Sequence, residues 1–248
     1  MTPHPSLLHT AHRPWPLPES NWIMRQEWND LAFLHWEIQP AALRPLLPPD
    51  LELDTWGDTA WLGIVPFDMK GVTLRGFPAP PALSNFPEIN LRTYVTHQGR
   101  PGVWFFSLDV PSHLAVWIAR SCFHLPYFHA SVSSTRSGNS IHYQHQRGNL
   151  RFHASYHPLE PISPPADSFE TWATERYCLY TANRRGHILR GEIHHPRWPL
   201  HRAAIDISEN TFLKTWPVGP MHPSVLFSPH IPVVVWPLKD CTSPTSPP

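Results

Sequence analysis

Proline sets the limit on regular structure in this chain: 32 of the 248 residues are proline, spread along its length. Proline lacks a backbone N–H and clashes with the preceding helical turn. It therefore ends helices, and in sheets it is confined to edges, first residues and bulges. Between the prolines and glycines lie short runs rich in β-branched and aromatic residues, and these read as strands bounded by turns. The first set covers residues 22–28, 31–38, 59–69, 86–97 and 103–109. A meander follows over 127–134, 139–146 and 150–157, with turn signals at Ser137-Gly138-Asn139 and Gly148-Asn149. Segments 178–183 and 187–195 make a hairpin around Arg184-Arg185-Gly186, and 231–236 is the last strand.

Helical pattern is scarce. Residues 40–47 make a short turn, Ser112 caps a helix over 113–124, and Asp167 or Ser168 caps about ten residues containing Glu170. The helix over 113–124 is apolar nearly all round, which predicts burial and puts Cys122 in the core. About ten strands with two or three short helices define a mainly β chain, α+β by class. Hairpin connections make the sheet antiparallel, and that many strands curl into a barrel or two packed sheets. We read one domain over 21–239. Residues 1–20, with Pro3, Pro5, Pro14, Pro16 and Pro18, form an extended arm that packs by Trp15. Residues 240–248 form a disordered tail.

Composition excludes several classes. Lys+Arg and Asp+Glu are both 19, so the net charge is zero and a basic nucleic-acid footprint is not expected. A hydrophobic share of 41% with 12 tryptophans argues against wholesale disorder. No apolar run reaches the roughly 18 residues of a membrane helix. The first residues hold no apolar h-region, so no signal peptide is expected. Cys122, Cys178 and Cys241 form no CxxC pair, which fits a reduced, cytoplasmic setting.

The strand over 86–94 carries the most chemistry. Side chains alternate across a strand, so Ile89, Leu91 and Thr93 share one face while Glu88, Asn90, Arg92 and Tyr94 share the other. The four polar groups stand about 6.6–7 Å apart in steps of two residues. Two readings stay open: a solvated face with a structural Glu–Arg pair, or a polar floor inside a barrel. On the second, Arg92 holds a carboxylate ligand and Glu88 moves a proton. The long Gly- and Pro-rich loop over 71–85, just ahead of this strand, favours it. Arg120 lies at the end of the apolar helix and needs a partner if buried, with Glu88 or Asp109 as candidates. It serves there either as a structural ion pair or as a site residue. Among the 18 histidines, His35, His124, His129, His142, His153, His194 and His195 invite a metal reading. None has HExxH spacing or a Cys/His box, so no metal is expected. GxSxG, P-loop and GxGxxG patterns are absent, and no cofactor is expected.

The order of several short pieces resembles the uncharacterised YqjF-like family of the acetoacetate decarboxylase-like superfamily. The pieces include residues 28–36, Leu46-Leu47-Pro48, Ala60-Trp61-Leu62-Gly63, Glu88 to Tyr94, and Ala119-Arg120 with Leu125-Pro126-Tyr127. Glu175-Arg176-Tyr177, His195-Pro196 and Trp198-Pro199-Leu200 complete them. The resemblance spans about 28–238 and implies a β cone or barrel with an internal ligand pocket. In true acetoacetate decarboxylases a lysine forms a Schiff base with a β-keto acid, beside a second lysine that lowers its pKa. Their Pro-Lys-Lys segment matches Pro126-Tyr127-Phe128 here, so the nucleophile is missing. Lys70, Lys214 and Lys239 are the only lysines, and each stands alone in sequence.

The resulting expectation is a protein binding a small carbonyl or carboxylate compound. Arg92 or Arg120 anchors the anion, Glu88 serves as acid or base, and Tyr127 donates a hydrogen bond. Asn90, Tyr94, His35 and Trp36 join the ligand wall, with Trp61 and Phe86 as further aromatics. The rivals are a lyase, hydratase or isomerase that uses Glu88 without an imine, and a structural protein with a filled barrel. Oligomeric state is left open.

Overall fold

The computed structural model describes residues 4–78, 84–218 and 223–241. Its strands in chain order are β1 (Met24–Ile38), β2 (Glu52–Leu53), β3 (Ala60–Leu74), β4 (Phe86–His97), β5 (Arg100–Val110), β6 (Tyr127–His129) and β7 (Ser131–Ser137). Then come β8 (Ser140–Arg147), β9 (Leu150–Pro161), β10 (Cys178–Ala182), β11 (Ile188–His194), β12 (His201–Asn210) and β13 (Ser224–Asp240). The helices are α1 (Pro40–Leu43), α2 (His113–Phe123) and α3 (Phe169–Thr174). None of the described helices is long and apolar enough to cross a membrane.

Seven strands pair in the order β1-β3-β4-β5-β10-β11-β13, and β13 returns to β1, closing a barrel. The pairing is antiparallel apart from the parallel contacts of β5 with β10 and of β5 with β6. Closure hides the edges that an open sheet would expose. β13 forks the sheet. Its N-terminal part pairs with β12 at Leu226 and Phe227, and its C-terminal part pairs with β11 from Val234 onward. From β12 the sheet continues through β9 and β8 to β7.

The prolines of β13 fit this fork. Pro229 and Pro232 lie in the gap where the edge has left β12 and not yet met β11, and Pro237 lies within the register shift opposite Gly191 and Ile193. At those points a missing N–H costs no ladder bond. Sequence pattern alone gives a strand of six residues, 231–236, that stops before Pro237, where the structure has 17. Likewise residues 22–28 and 31–38 join into β1, with Asp30 at a positive φ of 49° within a register shift. The segment over 127–134 breaks at Ala130 into β6 and β7. β12 was missed, although Ala203, Ile205 and Ile207 alternate with polar or small neighbours.

The barrel wall has two faces. Ala32, Leu34, Leu62, Ile64, Ile89 and Leu91 form one cluster with Ile141, Tyr143, Phe152 and Tyr156 of the β7–β12 layer. A layer that branches away from the closed ring packs on its outside, so this is the outer face. The lining is the other face: Leu31 and Phe33 of β1, Val65, Phe67 and Met69 of β3, and Ile231, Val233 and Val235 of β13 pack there with Trp198 and Leu200. The Trp15 indole donates to Glu192 at 2.9 Å. Arg13 joins the same carboxylate at 2.9 Å. Asp240 and Cys241 belong to the fold: the Cys241 amide donates to the Ile188 carbonyl, and the rest of the expected tail, 242–248, lies outside the described residues.

α2 contradicts expectation. It buries none of its residues, Trp117 is 64% exposed, and Cys122 is exposed rather than core. Only one side of α2 rests on the sheet, so an all-round apolar pattern leaves the opposite side facing water.

Candidate functional site

Register places the polar groups of β4 on the lining. Phe67 stands opposite Glu88, Val65 opposite Asn90 and Gly63 opposite Arg92, and on the far edge Leu108 faces Asn90. Tyr127 pairs beside Leu108 and so joins the same face. The chain reaches that position because His124 ends α2 in the left-handed region, after which Pro126 accepts the Leu108 amide at 3.0 Å. Tyr127 Oη donates to Glu88 Oε2 at 2.9 Å. Glu88 is 2% exposed. Burial pushes its carboxyl from 4.5 up to about 8, against hydrogen bonds from Tyr127 and Asn90 that lower it. It is therefore mostly protonated at neutral pH. The same burial, with Glu88 alongside, drives the Tyr127 phenol well above its ordinary value. The two groups touch, so the gap expected between them is closed by their own hydrogen bond.

Further along the lining, His35 Nε2 and Tyr94 Oη lie 2.5 Å apart. Burial, with Arg92 and Arg176 nearby, holds His35 well below its ordinary pKa, and it stays neutral. Arg92 reaches Tyr94 Oη at 3.4 Å and the Ala173 carbonyl at 3.5 Å. Among the described residues no carboxylate pairs with Arg92, while Arg176 pairs with Asp54. α3 lays Phe169 against Trp61 with ring centroids 4.2 Å apart, and Trp172 against Tyr94 at 4.6 Å. Gly63 makes room here, since a Cβ at that position would stand 3.2 Å from Arg92 Cγ. Four buried polar atoms of this face have no hydrogen-bond partner among the described residues: His35 Nδ1, Trp61 Nε1, Asn90 Oδ1 and Arg92 Nε. Orphaned polar atoms are uncommon in protein interiors, and a cluster of them is a place where a ligand supplies the missing bonds.

The structure thus brings Glu88, Asn90, Arg92, Tyr94, Tyr127 and His35 onto one surface. It does not bring Trp36 or Arg120 there. Trp36 sits one residue out of phase with His35 and packs in the outer cluster. Arg120 is exposed on α2, its guanidinium 5.0 Å from the Phe128 ring. Asp109, one candidate partner for Arg120, lies on the outer face and binds His145 and Arg147 at 2.7 Å each. Of the loop over 71–85, residues 79–83 lie outside the described residues. Lys70, Lys214 and Lys239 are all exposed. Among the described residues no cluster of three or more His, Cys, Asp or Glu could hold a metal ion. Sequence reasoning overlooked Arg176, Phe169 and Trp172. The only signal was Arg176 within the Glu175-Arg176-Tyr177 piece.

This architecture is shared with known enzymes. The acetoacetate decarboxylase of Legionella pneumophila superposes with a TM-score of 0.66 at 13% identity, covering 94% of this chain and 93% of that one. The enduracididine biosynthesis enzyme MppR, complexed with the condensation product of pyruvate and imidazole 4-carboxaldehyde, gives 0.66 at 12% identity, covering 90% and 91%. The fold is that of the acetoacetate decarboxylase-like proteins. The sequence is 42% identical over 229 residues to the uncharacterized protein YqjF of Bacillus subtilis (strain 168), covering 90% of this chain and 94% of that one. The family model DUF2071, described as an uncharacterized conserved protein, matches residues 25–232, and the chain belongs to that family.

Proposed function

We propose that the barrel lining binds a small carbonyl or carboxylate compound without forming an imine to lysine. Glu88 is the proton-bearing group, and Tyr127 and Asn90 hold it. The observation that carries this reading is a buried, neutral carboxyl on the same strand face as an arginine with no carboxylate partner. A carboxyl near 8 gives or takes a proton readily at neutral pH. Asn90 Oδ1 and Arg92 Nε leave an acceptor and a donor for the ligand beside it. Exposure of all three lysines speaks against a Schiff base, which needs a desolvated amine. MppR, of like fold, has been obtained complexed with pyruvate, a compound of the proposed class. Three free cysteines suit a reducing, cytoplasmic setting for this binding.

The raised carboxyl also favours a second reading on the same residues: a lyase, hydratase or isomerase in which Glu88 shuttles the proton. The test is calorimetric titration with pyruvate and acetoacetate, paired with borohydride treatment in the presence of acetoacetate. Saturable binding with no mass adduct is expected. An adduct on Lys70 or Lys214 overturns the imine-free chemistry, and absence of any binding overturns the reading. Product formation that is lost in Glu88→Gln selects the enzymatic version.

A further inference from the structure

We infer that Arg92, Arg176 and the Trp61 indole N–H form a carboxylate clamp beneath α3, whose ligand is a singly charged acid carrying a flat aryl or enoyl group. The inference rests on the reading above and names the ligand class of that site.

Charge is the first argument. Two guanidinium groups flank one phenol ring: the Arg92 and Arg176 carbons lie 5.6 and 4.8 Å from the Tyr94 centroid. Asp54, bound to Arg176, offsets one of the two charges. His35 is neutral and so adds nothing to either side. Among the described residues the cluster keeps one uncompensated positive charge. Arg92 is half-buried; a charge partly withdrawn from water and left unpaired is costly, and one bound anion offsets that cost. A dianion would overshoot the balance.

The donors are the second argument. Arg92 Nε, Arg176 Nη2 and Trp61 Nε1 are all buried and, among the described residues, all without a partner. All three are donors that cannot accept, and they suit a group made only of acceptors, such as a carboxylate. Asp54 and the Trp172 carbonyl occupy the other nitrogens of Arg176, so its free nitrogen has a fixed direction.

The walls are the third. Arg92 lies 5.4 Å from the Phe33 ring. Phe169 and Trp172 of α3 close over Trp61, His35 and Tyr94, with Phe169 5.6 Å from His35. Tilted and edge-on rings favour a planar guest over a branched or saturated one.

The test uses the full chain at pH 7 and four probes: benzoate, benzamide, pyruvate and phenyl phosphate. Benzoate is expected to bind at least tenfold tighter than each of the others, and to shift the Trp61 indole resonance. Arg92→Gln is expected to weaken benzoate at least tenfold. Trp61→Phe keeps an aromatic face, removes the donor, and is expected to weaken benzoate about threefold. Benzamide matching benzoate, or Arg92→Gln binding as the parent does, overturns the clamp. Pyruvate binding while benzoate does not overturns the flat-acid class and leaves the broader carboxylate reading standing. No binding by any of the four overturns the clamp as well.

Discussion

Replacing Glu88 by Gln keeps the volume and the acceptor for Tyr127 and removes the ionisable group. Folding raises the pKa of this carboxyl from 4.5 to about 8, so the folded state holds the proton more tightly than the unfolded state. Its contribution is whole below about pH 4.5, and is lost progressively as pH climbs through about 8. At ~1.36 kcal/mol per tenfold change in proton affinity, the full loss is about 5 kcal/mol, of which about 3 kcal/mol has gone by pH 7. Glutamine never charges and suffers no such loss. The stability of Glu88→Gln minus that of the parent is therefore expected to rise by about 3 kcal/mol between pH 4.5 and 7, and to level off above pH 8 near 5 kcal/mol. Against total stabilities of about 5–15 kcal/mol this is a large effect. Urea unfolding of both proteins, followed by tryptophan fluorescence from pH 4.5 to 9, measures it, and the titrations of the histidines cancel in the difference. A difference that stays flat across this range would refute the claim that burial holds the carboxyl neutral.

Tyr127→Phe removes a hydrogen bond that lowers the Glu88 pKa. The midpoint of the same pH-difference curve should move above about 8, with about 1 kcal/mol of stability lost. Asp109→Ala leaves the buried His145 and the half-buried Arg147 without their shared carboxylate. About 3–5 kcal/mol should be lost in urea unfolding, and a loss under 1 kcal/mol would show that the trio is not a structural tie between barrel and outer layer. Gly102→Ala puts a Cβ 2.8 Å from the Cys178 carbonyl, the Cys178 Sγ and Tyr180 Cε2. The melting temperature should fall by an amount matching about 1–3 kcal/mol, because β5 and β10 must separate to admit a methyl group.

Fold class was legible because its signals are local. Turn pairs such as Gln98-Gly99, Gly138-Asn139 and Gly148-Asn149 sit at real hairpin tips, with Gly99, Gly138 and Gly148 all at positive φ. Alternation along β4 sorted Glu88, Asn90, Arg92 and Tyr94 from Ile89, Leu91 and Thr93, and the register keeps that division. What the sequence hides is anything set by two distant strands. Neither the fork at β13 nor the use of its prolines can be read from one segment. The same holds for the site. Trp36 and His35 are neighbours, and only the barrel's closure decides which of them faces the lining. Arg176 enters from the segment just after α3, 84 positions beyond Arg92, and no spacing rule links them.

One physical property unites the two ends of the lining: each favours a neutral or charge-balanced form. The desolvation that keeps His35 unprotonated raises the Glu88 carboxyl and the Tyr127 phenol. At one end Tyr127 donates to the Glu88 carboxyl, and burial favours the protonated form of both groups. A neutral acid beside a phenol polarises or protonates a carbonyl oxygen, and it cannot add to the carbonyl carbon as an amine does. About 13 Å along the strand, four residues away, Arg92 supplies the positive charge that a carboxylate needs. On the proposed reading the lining has a proton-handling end at Glu88 and an anion-holding end at Arg92. The ligand proposed for it places its carboxylate at the Arg92 end.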